Sequence, residues 1–175
     1  PIRVAIVGCG RISSLHQLGY VGREDARIVA VCDTNKAVAR RQAKEWGVEK
    51  VYSDYRQVLE DKEIDVVEIL TPHHLHCPMT VQAAQAGKHI SVQKPMALSA
   101  AEADEMIAAA GKAGVVLRVY ETFVYYDPAV RAREMIDAGE IGEVRAVRMH
   151  VSTGTGDSAW KVPLSSWVWR FDEKL

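Results

Sequence analysis

Short apolar runs alternate with amphipathic stretches along the first 120 residues of the chain. The runs are rich in β-branched residues, as expected of strands that are buried on both faces of a parallel sheet. The stretches between them place apolar residues at helical spacing, and several end at glycines. The predicted strands cover 2–7, 28–32, 51–52, 64–70, 89–92 and 115–119, and the predicted helices cover 12–19, 35–46, 55–59, 78–86 and 99–113. This alternation predicts an α/β fold built on a doubly wound parallel sheet.

Two of these helices carry specific expectations about their apolar faces. The first helix is expected to form one face from Ile12, Leu15 and Gly19. Ser99 and Glu102 have the spacing of a capping box at the start of the helix at 99–113. The apolar face of that helix is expected to comprise Ala103, Met106, Ile107 and Ala110.

The pattern changes after residue 121. A helix is predicted at 128–138 and a strand at 144–151, followed by a polar loop and by Trp160, Trp167 and Trp169. No later segment offers a strand to pair with the one at 144–151, and an isolated strand is not stable in water. We therefore expect one domain at 1–121 and the incomplete beginning of a second domain at 122–175. A short protein that associates with itself is the alternative.

Composition narrows the class of protein. Hydrophobic residues make up 48% of the chain, and the formal net charge of −1 gives no reason to expect a nucleic acid or an acidic membrane as partner. The three cysteines, Cys9, Cys32 and Cys77, have no metal-like spacing and are interpreted as reduced core residues. No signal peptide and no membrane-spanning apolar run are recognised. We expect a soluble, cytoplasmic protein.

A glycine turn follows the first predicted strand. Gly8 and Gly10 lie between that strand and a helix start, where unpaired N–H groups and the helix dipole favour an anion such as a phosphate. Ser13 replaces the third glycine of the G-x-G-x-x-G pattern, and a tight turn without any ligand is the alternative for the turn alone. Asp33 ends the second strand, where a carboxylate can bind both hydroxyls of an adenosine ribose. Together these features favour dinucleotide binding.

Further polar residues follow the carboxyl ends of the predicted strands, where ligands of such sheets bind. The residues expected to share this crevice are Gly8, Asp33, Thr71, Gln93, Lys94 and Tyr120. Lys94 precedes a proline and is therefore held in an extended conformation. Its cation is suited to stabilising a developing alkoxide, and an ordinary surface lysine at a turn is the alternative.

Two other polar features have competing interpretations. His73, His74 and His76 have no carboxylate or cysteine cluster spaced to complete a metal site, so no metal is predicted. His76 is expected to shape the crevice or to cap the following helix. Glu68 interrupts a buried strand and faces either a polar crevice or a partner from a neighbouring helix.

Several motifs occur in order along the chain: Gly8-Cys9-Gly10-Arg11-Ile12, Thr71-Pro72-His73-His74-Leu75-His76, Ala86-Gly87-Lys88-His89, Gln93-Lys94-Pro95 and Tyr126-Asp127-Pro128-Ala129. With them the chain resembles the Gfo/Idh/MocA oxidoreductase family, which includes glucose–fructose oxidoreductase and inositol dehydrogenases. The resemblance extends from residue 2 to about residue 170.

The resemblance implies an N-terminal Rossmann domain followed by an α/β domain with a mainly antiparallel sheet. It also implies hydride transfer between a nicotinamide cofactor and a hydroxyl or carbonyl carbon of a sugar, inositol or related polyol, in a homo-oligomer formed through the second domain. Because Gln93-Lys94-Pro95 matches the family's Glu-Lys-Pro motif, the resemblance implies that Lys94 has the role of the family's catalytic lysine. The residues expected at the cofactor are Gly8, Gly10, Arg11, Ile12, Asp33, Thr71, Pro72, His73, His76, Gln93, Lys94, Tyr120, Trp169 and Arg170.

The cofactor is expected to be NAD rather than NADP. Asp33 is followed by Thr34 and Asn35, which offer no arginine for a 2′-phosphate, although Lys36 and Arg40 are near.

Three departures from the family pattern leave a second function open. Gln93 replaces the usual glutamate, and Tyr125 stands where many relatives carry arginine. The family's Asp-x-x-x-His pair is expected just after Arg170, and the sequence ends at Leu175. A non-catalytic dinucleotide-binding regulatory or sensor module is therefore the alternative to the enzyme.

Overall fold

The computed structural model describes residues 1–148 and 150. It divides the chain into two units, Pro1–Glu121 and Thr122–Leu175. Within the part that it describes, no helix is both long enough and apolar enough to cross a membrane.

Six parallel strands form one sheet in the first unit. They are β1 (Ile2–Val7), β2 (Ala26–Cys32), β3 (Lys50–Tyr52), β4 (Val66–Ile69), β5 (His89–Gln93) and β6 (Leu117–Tyr120). Their order is β3-β2-β1-β4-β5-β6, with parallel pairing throughout. The order reverses between β1 and β4, which places a crevice at their carboxyl ends. The predicted doubly wound parallel sheet is confirmed.

The helices of the first unit are α1 (Arg11–Leu18), α2 (Lys36–Trp46), α3 (Tyr55–Glu60), α4 (His76–Gln85) and α5 (Ala100–Ala113), and a 3-10 turn at His73–Leu75 precedes α4. The Ser99 hydroxyl accepts the Glu102 backbone N–H at 3.2 Å, as a capping box requires. The Glu102 carboxylate accepts the backbone N–H of Leu98 at 2.9 Å, one residue before the expected partner. The predicted capping box is thus a variant whose second hydrogen bond fixes the preceding loop.

The core occupies both faces of the sheet. One cluster includes Val7, Cys32, Ile69, Val92 and the helical residues Val58, Met79, Ala83 and Met106, and the other consists of Cys9, Val31, Ala39 and Ala43. All three cysteines are buried and free.

Three predicted face residues are wrong: Gly19 is exposed at the C-cap of α1, and two apolar residues are exposed as well. Leu15 is 54% exposed and Ile107 is 57% exposed. In α1 the fully buried residue is Ser13, and His16 reaches the carboxylate of Glu68 on β4. In α5 the buried residues are Met106 and Ala110. A polar contact to the sheet therefore sets the rotation of α1, and apolar spacing alone did not predict it.

The second unit contains α6 (Asp127–Asp137), close to the helix predicted at 128–138. Residues 144–148 form no strand, so the prediction of a strand at 144–151 is wrong for its first five residues. No partner strand is present for them among the described residues of this unit, and a strand without a partner is not stable. Trp160, Trp167, Trp169 and Arg170 lie outside the described residues.

An ion pair joins β1 to the start of β4. The Arg3 guanidinium donates to Asp65 from Nη2 at 2.6 Å and from Nε at 2.9 Å, and the Arg3 backbone N–H donates at 2.8 Å. The Arg3 hydrogen bond lowers the pKa of Asp65 to about 2. Because the pKa of Asp65 is lower in the folded protein than in the unfolded chain, the pair stabilises the fold above about pH 4 and loses its effect towards pH 2.

We expect Asp65→Asn to lower the free energy of unfolding by about 1 kcal/mol near neutral pH, since the pair is partly exposed. The difference from wild type should shrink as the pH falls from about 4 to about 2. Urea denaturation followed by circular dichroism across this range measures it, with the exposed Asp104→Asn as control. A difference that stayed constant with pH would rule out this role for the ion pair.

Candidate functional site

The end of β1 lies directly against the end of β4. Gly8 has φ of +95°, and a Cβ at this position would lie 2.7 Å from the Leu70 carbonyl oxygen. The Gly8 backbone N–H donates to the Cys32 carbonyl of β2 at 2.9 Å. Only glycine combines this backbone conformation with this approach. The chain therefore leaves β1 without filling the space above the sheet.

Gly10 is the N-cap of α1, and it leaves the start of the helix open. Its backbone is extended, no side chain caps the helix at this residue, and a Cβ would meet no atom within 4 Å. The N-terminus of a helix, where the helix dipole is positive, is suited to an anion. A groove of about 470 Å³ adjoins it, lined by Cys9, Gly10, Arg11, Ser14, Val38, Arg41, Gln42 and Glu45.

Asp33 is held against the glycine turn. One carboxylate oxygen accepts the Cys9 backbone N–H at 2.8 Å, and the other accepts the Asn35 backbone N–H at 2.8 Å. Each oxygen of a carboxylate has a second acceptor position. The side chain is therefore fixed and can still accept two hydroxyl donors, as a ribose diol would supply.

The two thiols beside Asp33 stay protonated. Burial raises the pKa of Cys9 and of Cys32 to about 12 in each case, and the negative charge of Asp33 adds to both shifts. A thiol in this state is not a nucleophile at neutral pH. Covalent cysteine chemistry is therefore not a function of these two residues.

His76 joins the loops that follow β4 and β5. Its ring is fully buried, with Nε2 at 2.9 Å from the Thr71 carbonyl oxygen and Nδ1 at 2.8 Å from that of Pro95. The cap of α4 is Leu75, and no side chain bonds there, so the expectation that His76 caps this helix is wrong. His76 instead fixes both edges of the crevice, and the His73 ring lies 5.6 Å away.

Gln93 and Lys94 are connected to α1. The Lys94 backbone N–H donates to Gln93 Oε1 at 2.8 Å, and Gln93 Nε2 lies 2.7 Å from His16 Nε2. His16 Nδ1 lies 2.5 Å from Glu68 Oε1, and the Tyr20 hydroxyl donates to the other oxygen of Glu68. Of the two interpretations of Glu68, the partner on a neighbouring helix is confirmed.

His16 and Tyr20 belong to the site and were not predicted from the sequence. His16 lies in α1, Tyr20 follows it by four residues just after the helix ends, and Glu68 is a fully buried carboxylate on the neighbouring strand. A buried carboxylate requires donors. A search for hydrogen-bond donors to Glu68, spaced four residues apart, would therefore have found both side chains.

The described candidates lie at or near the carboxyl edge of the sheet. Cys9, which follows Gly8, donates its backbone N–H to Asp33. The His76 ring contacts the carbonyl oxygens of Thr71 and Pro95. The His16 ring contacts the Gln93 amide and lies 4.7 Å from the Tyr120 ring. Arg11 opens α1 and Lys94 is exposed. Trp169 and Arg170 were also predicted here and lie outside the described residues. No cluster of His, Cys, Asp or Glu able to hold a metal is found in the described part of the chain.

Residues 2–121 match the family GFO_IDH_MocA, described as an oxidoreductase family with an NAD-binding Rossmann fold. The chain is 39% identical over 144 residues to scyllo-inositol 2-dehydrogenase (NAD(+)) of Bacillus subtilis, covering 81% of this chain and 42% of that protein. It is 31% identical over 163 residues to D-glucoside 3-dehydrogenase of Escherichia coli, covering 93% of this chain and 46% of that protein.

A solved structure shows the same likeness. The WlbA dehydrogenase from Bordetella pertussis, in complex with NADH and UDP-GlcNAcA, superposes with a TM-score of 0.76 at 31% identity, covering 81% of this chain and 43% of that one. The chain thus spans less than half the length of the proteins that it matches.

The two glycines of the turn should differ in their effect on stability. Gly8→Ala should lower the free energy of unfolding by about 3 kcal/mol. Alanine is strained at this positive φ, and its Cβ would collide with the Leu70 carbonyl. Gly10→Ala, the matched control, should change it by less than about 0.5 kcal/mol, because its Cβ enters open space. Urea denaturation of both variants measures this difference. Equal stability of the two would contradict the close approach of β1 and β4.

Proposed function

The chain belongs to the Gfo/Idh/MocA oxidoreductase family, and from this premise we propose that its protein transfers a hydride between NAD and a hydroxyl- or carbonyl-bearing carbon of a sugar, inositol or related polyol. One observation carries the proposal. The open helix start at Gly10, the fixed carboxylate of Asp33 and the Lys94 segment all lie at the carboxyl edge of one parallel sheet. A dinucleotide cofactor needs a phosphate site, a ribose site and a reactive end along such an edge.

The phosphate and ribose sites are assigned to the glycine turn and Asp33. The turn leaves room for a pyrophosphate at Gly10, with Arg11 at the first position of the helix. The Asp33 carboxylate would accept both ribose hydroxyls, and its negative charge would repel a 2′-phosphate. NAD is therefore proposed over NADP.

Thr71, Pro72, His73 and Gln93 are assigned to the nicotinamide end of the same crevice. They follow β4 or end β5, the two strands next to β1 on the far side from Asp33. The cofactor supplies the hydride donor or acceptor. The loops after β4 and β5, which His76 joins by hydrogen bonds, would line the crevice and orient the cofactor.

Lys94 is proposed as the catalytic cation. Gln93 Oε1 accepts the Lys94 backbone N–H, and His76 Nδ1 is hydrogen-bonded to the carbonyl oxygen of Pro95. The main chain is therefore fixed on both sides of the Lys94 side chain. An ammonium group placed in this way polarises a carbonyl or stabilises an alkoxide as charge develops on the oxygen. The ammonium group is effective only close to the reacting oxygen, and a rigid main chain keeps it there.

The two units are proposed to have separate roles. Residues 1–121 would form the dinucleotide-binding domain, and 122–175 would begin a second domain that contributes substrate contacts and forms a homo-oligomer. The three free, buried cysteines support a cytoplasmic location.

We expect Asp33→Ala to weaken NADH binding about tenfold, because two hydrogen bonds to the ribose are lost. NADH fluorescence titration of the variant and the wild type measures this change. Asp25→Ala is the control, since Asp25 lies at the opposite end of β2 and pairs with Arg23. Equal affinities for the Asp33 variant and the wild type would remove Asp33 from the cofactor site.

We expect Lys94→Ala, made in the full-length protein, to lower kcat on its polyol substrate at least a hundredfold and to leave NAD affinity near normal. Steady-state kinetics and NADH titration measure the two quantities, and the exposed Lys112→Ala is the control. A kcat within twofold of wild type would contradict the catalytic role. It would favour a dinucleotide sensor in place of the enzyme.

A further inference from the structure

A hydrogen-bonded chain lies beneath the Lys94 main chain. It runs from the Tyr20 hydroxyl through Glu68, His16 and Gln93 to the Lys94 backbone N–H. The Glu68 side chain is fully buried and that of His16 is 11% exposed, so water does not substitute freely for these partners. Burial and the neighbouring Glu68 both raise the pKa of Tyr20, which keeps its hydroxyl a donor.

The positions of the protons follow from one fixed donor. A backbone N–H only donates, so Gln93 presents its carbonyl oxygen to Lys94 at 2.8 Å. The Gln93 amide nitrogen therefore donates to His16 Nε2, 2.7 Å away. A ring nitrogen that accepts carries no proton, so the proton of a neutral imidazole lies on Nδ1 and is donated to Glu68.

We propose that Gln93 holds His16 as the neutral Nδ1–H tautomer, and that Glu68, His16 and Gln93 are positioning residues that fix the main chain of Lys94. This deepens the proposed function, on which its catalytic consequence rests. The hydrogen-bonded chain itself is a property of the protein without cofactor. Glu68 connects the hydrogen-bonded chain to the sheet, and His16 connects Glu68 to Gln93 beside Lys94.

The residue at position 93 thereby sets the charge of His16. A glutamine offers both a donor and an acceptor, whereas a glutamate at neutral pH offers acceptors alone. With carboxylates at both ring nitrogens, His16 satisfies its hydrogen bonds only as an imidazolium. Among the described residues, the titratable groups in contact with this ring are Glu68 of β4 and Tyr120 of β6, and Tyr20, in the turn after α1, bonds to the other oxygen of Glu68.

Long-range proton–nitrogen NMR of the cofactor-free chain tests the charge of His16. The His16 signals are assigned by their loss in His16→Gln. In wild type at neutral pH we expect a protonated Nδ1 and an unprotonated Nε2, and in Gln93→Glu both nitrogens should be protonated. Gln57→Glu, which makes the same change at an exposed position of α3, should leave the spectrum as in wild type. An Nε2–H tautomer in wild type, or an unchanged ring in Gln93→Glu, would overturn the proposal.

Hydrogen exchange of the Lys94 backbone amide tests the positioning role. In His16→Ala, which leaves no side-chain group to bridge Glu68 and Gln93, exchange at Lys94 should be about tenfold faster than in wild type. The Lys112 amide of α5 should exchange as before. An unchanged rate at Lys94 would overturn the positioning role. Failure of NAD binding or of turnover would count against the proposed function and would leave both of these results standing.

Discussion

The contact between the ends of β1 and β4 is the constraint on which the site depends. Gly8 leaves β1 with a positive φ and lies against the Leu70 carbonyl with no room for a side chain. This contact occurs where the strand order reverses, so the loops above β1 and β4 diverge and leave a crevice between them. A larger residue at position 8 would push these loops apart. The open start of α1, the Asp33 carboxylate and the Lys94 segment would then no longer share one edge.

Buried polar groups keep the edge of the crevice in place. Glu68 and His76 are fully buried, and each bonds to a different element from the one that carries it. An unpartnered polar group in this position would cost roughly 1–3 kcal/mol, and a charge more. These side chains therefore favour one arrangement of the loops over looser ones. The hydride transfer proposed for this site would need that rigidity, because small displacements of a polarising group cost much of its effect.

Local chemistry made much of the fold predictable. The Asn35 side chain caps α2 and accepts from Ala37 and Val38, and Gly47 ends the helix in the left-handed conformation. Such signals depend on neighbouring residues alone. The glycine turn and Asp33 were predictable for a similar reason, since strand, turn and helix follow one another in the chain.

The remaining features depend on contacts that are distant in sequence. His16 and Glu68 are 52 residues apart, and their hydrogen bond turns Leu15 outwards against its apolar character. His76 lies at the start of a helix, where a polar residue suggests a cap, yet its partners are on two separate loops. The strand expected at 144–151 needs a partner strand, which no local pattern supplies. Sequence periodicity contains none of this information.

The central claim is that NAD binds across the carboxyl ends of the strands with Lys94 at its reactive end. Two-dimensional amide NMR of the chain during NAD titration tests this claim most directly. We expect shifts of the amides of residues 8–13, 33–35, 71, 73, 93 and 94, all at the carboxyl ends of the strands. Shifts confined to the opposite edge, where Ile2, His89 and Val116 line a second groove, would contradict it, as would saturation without any change at these loops.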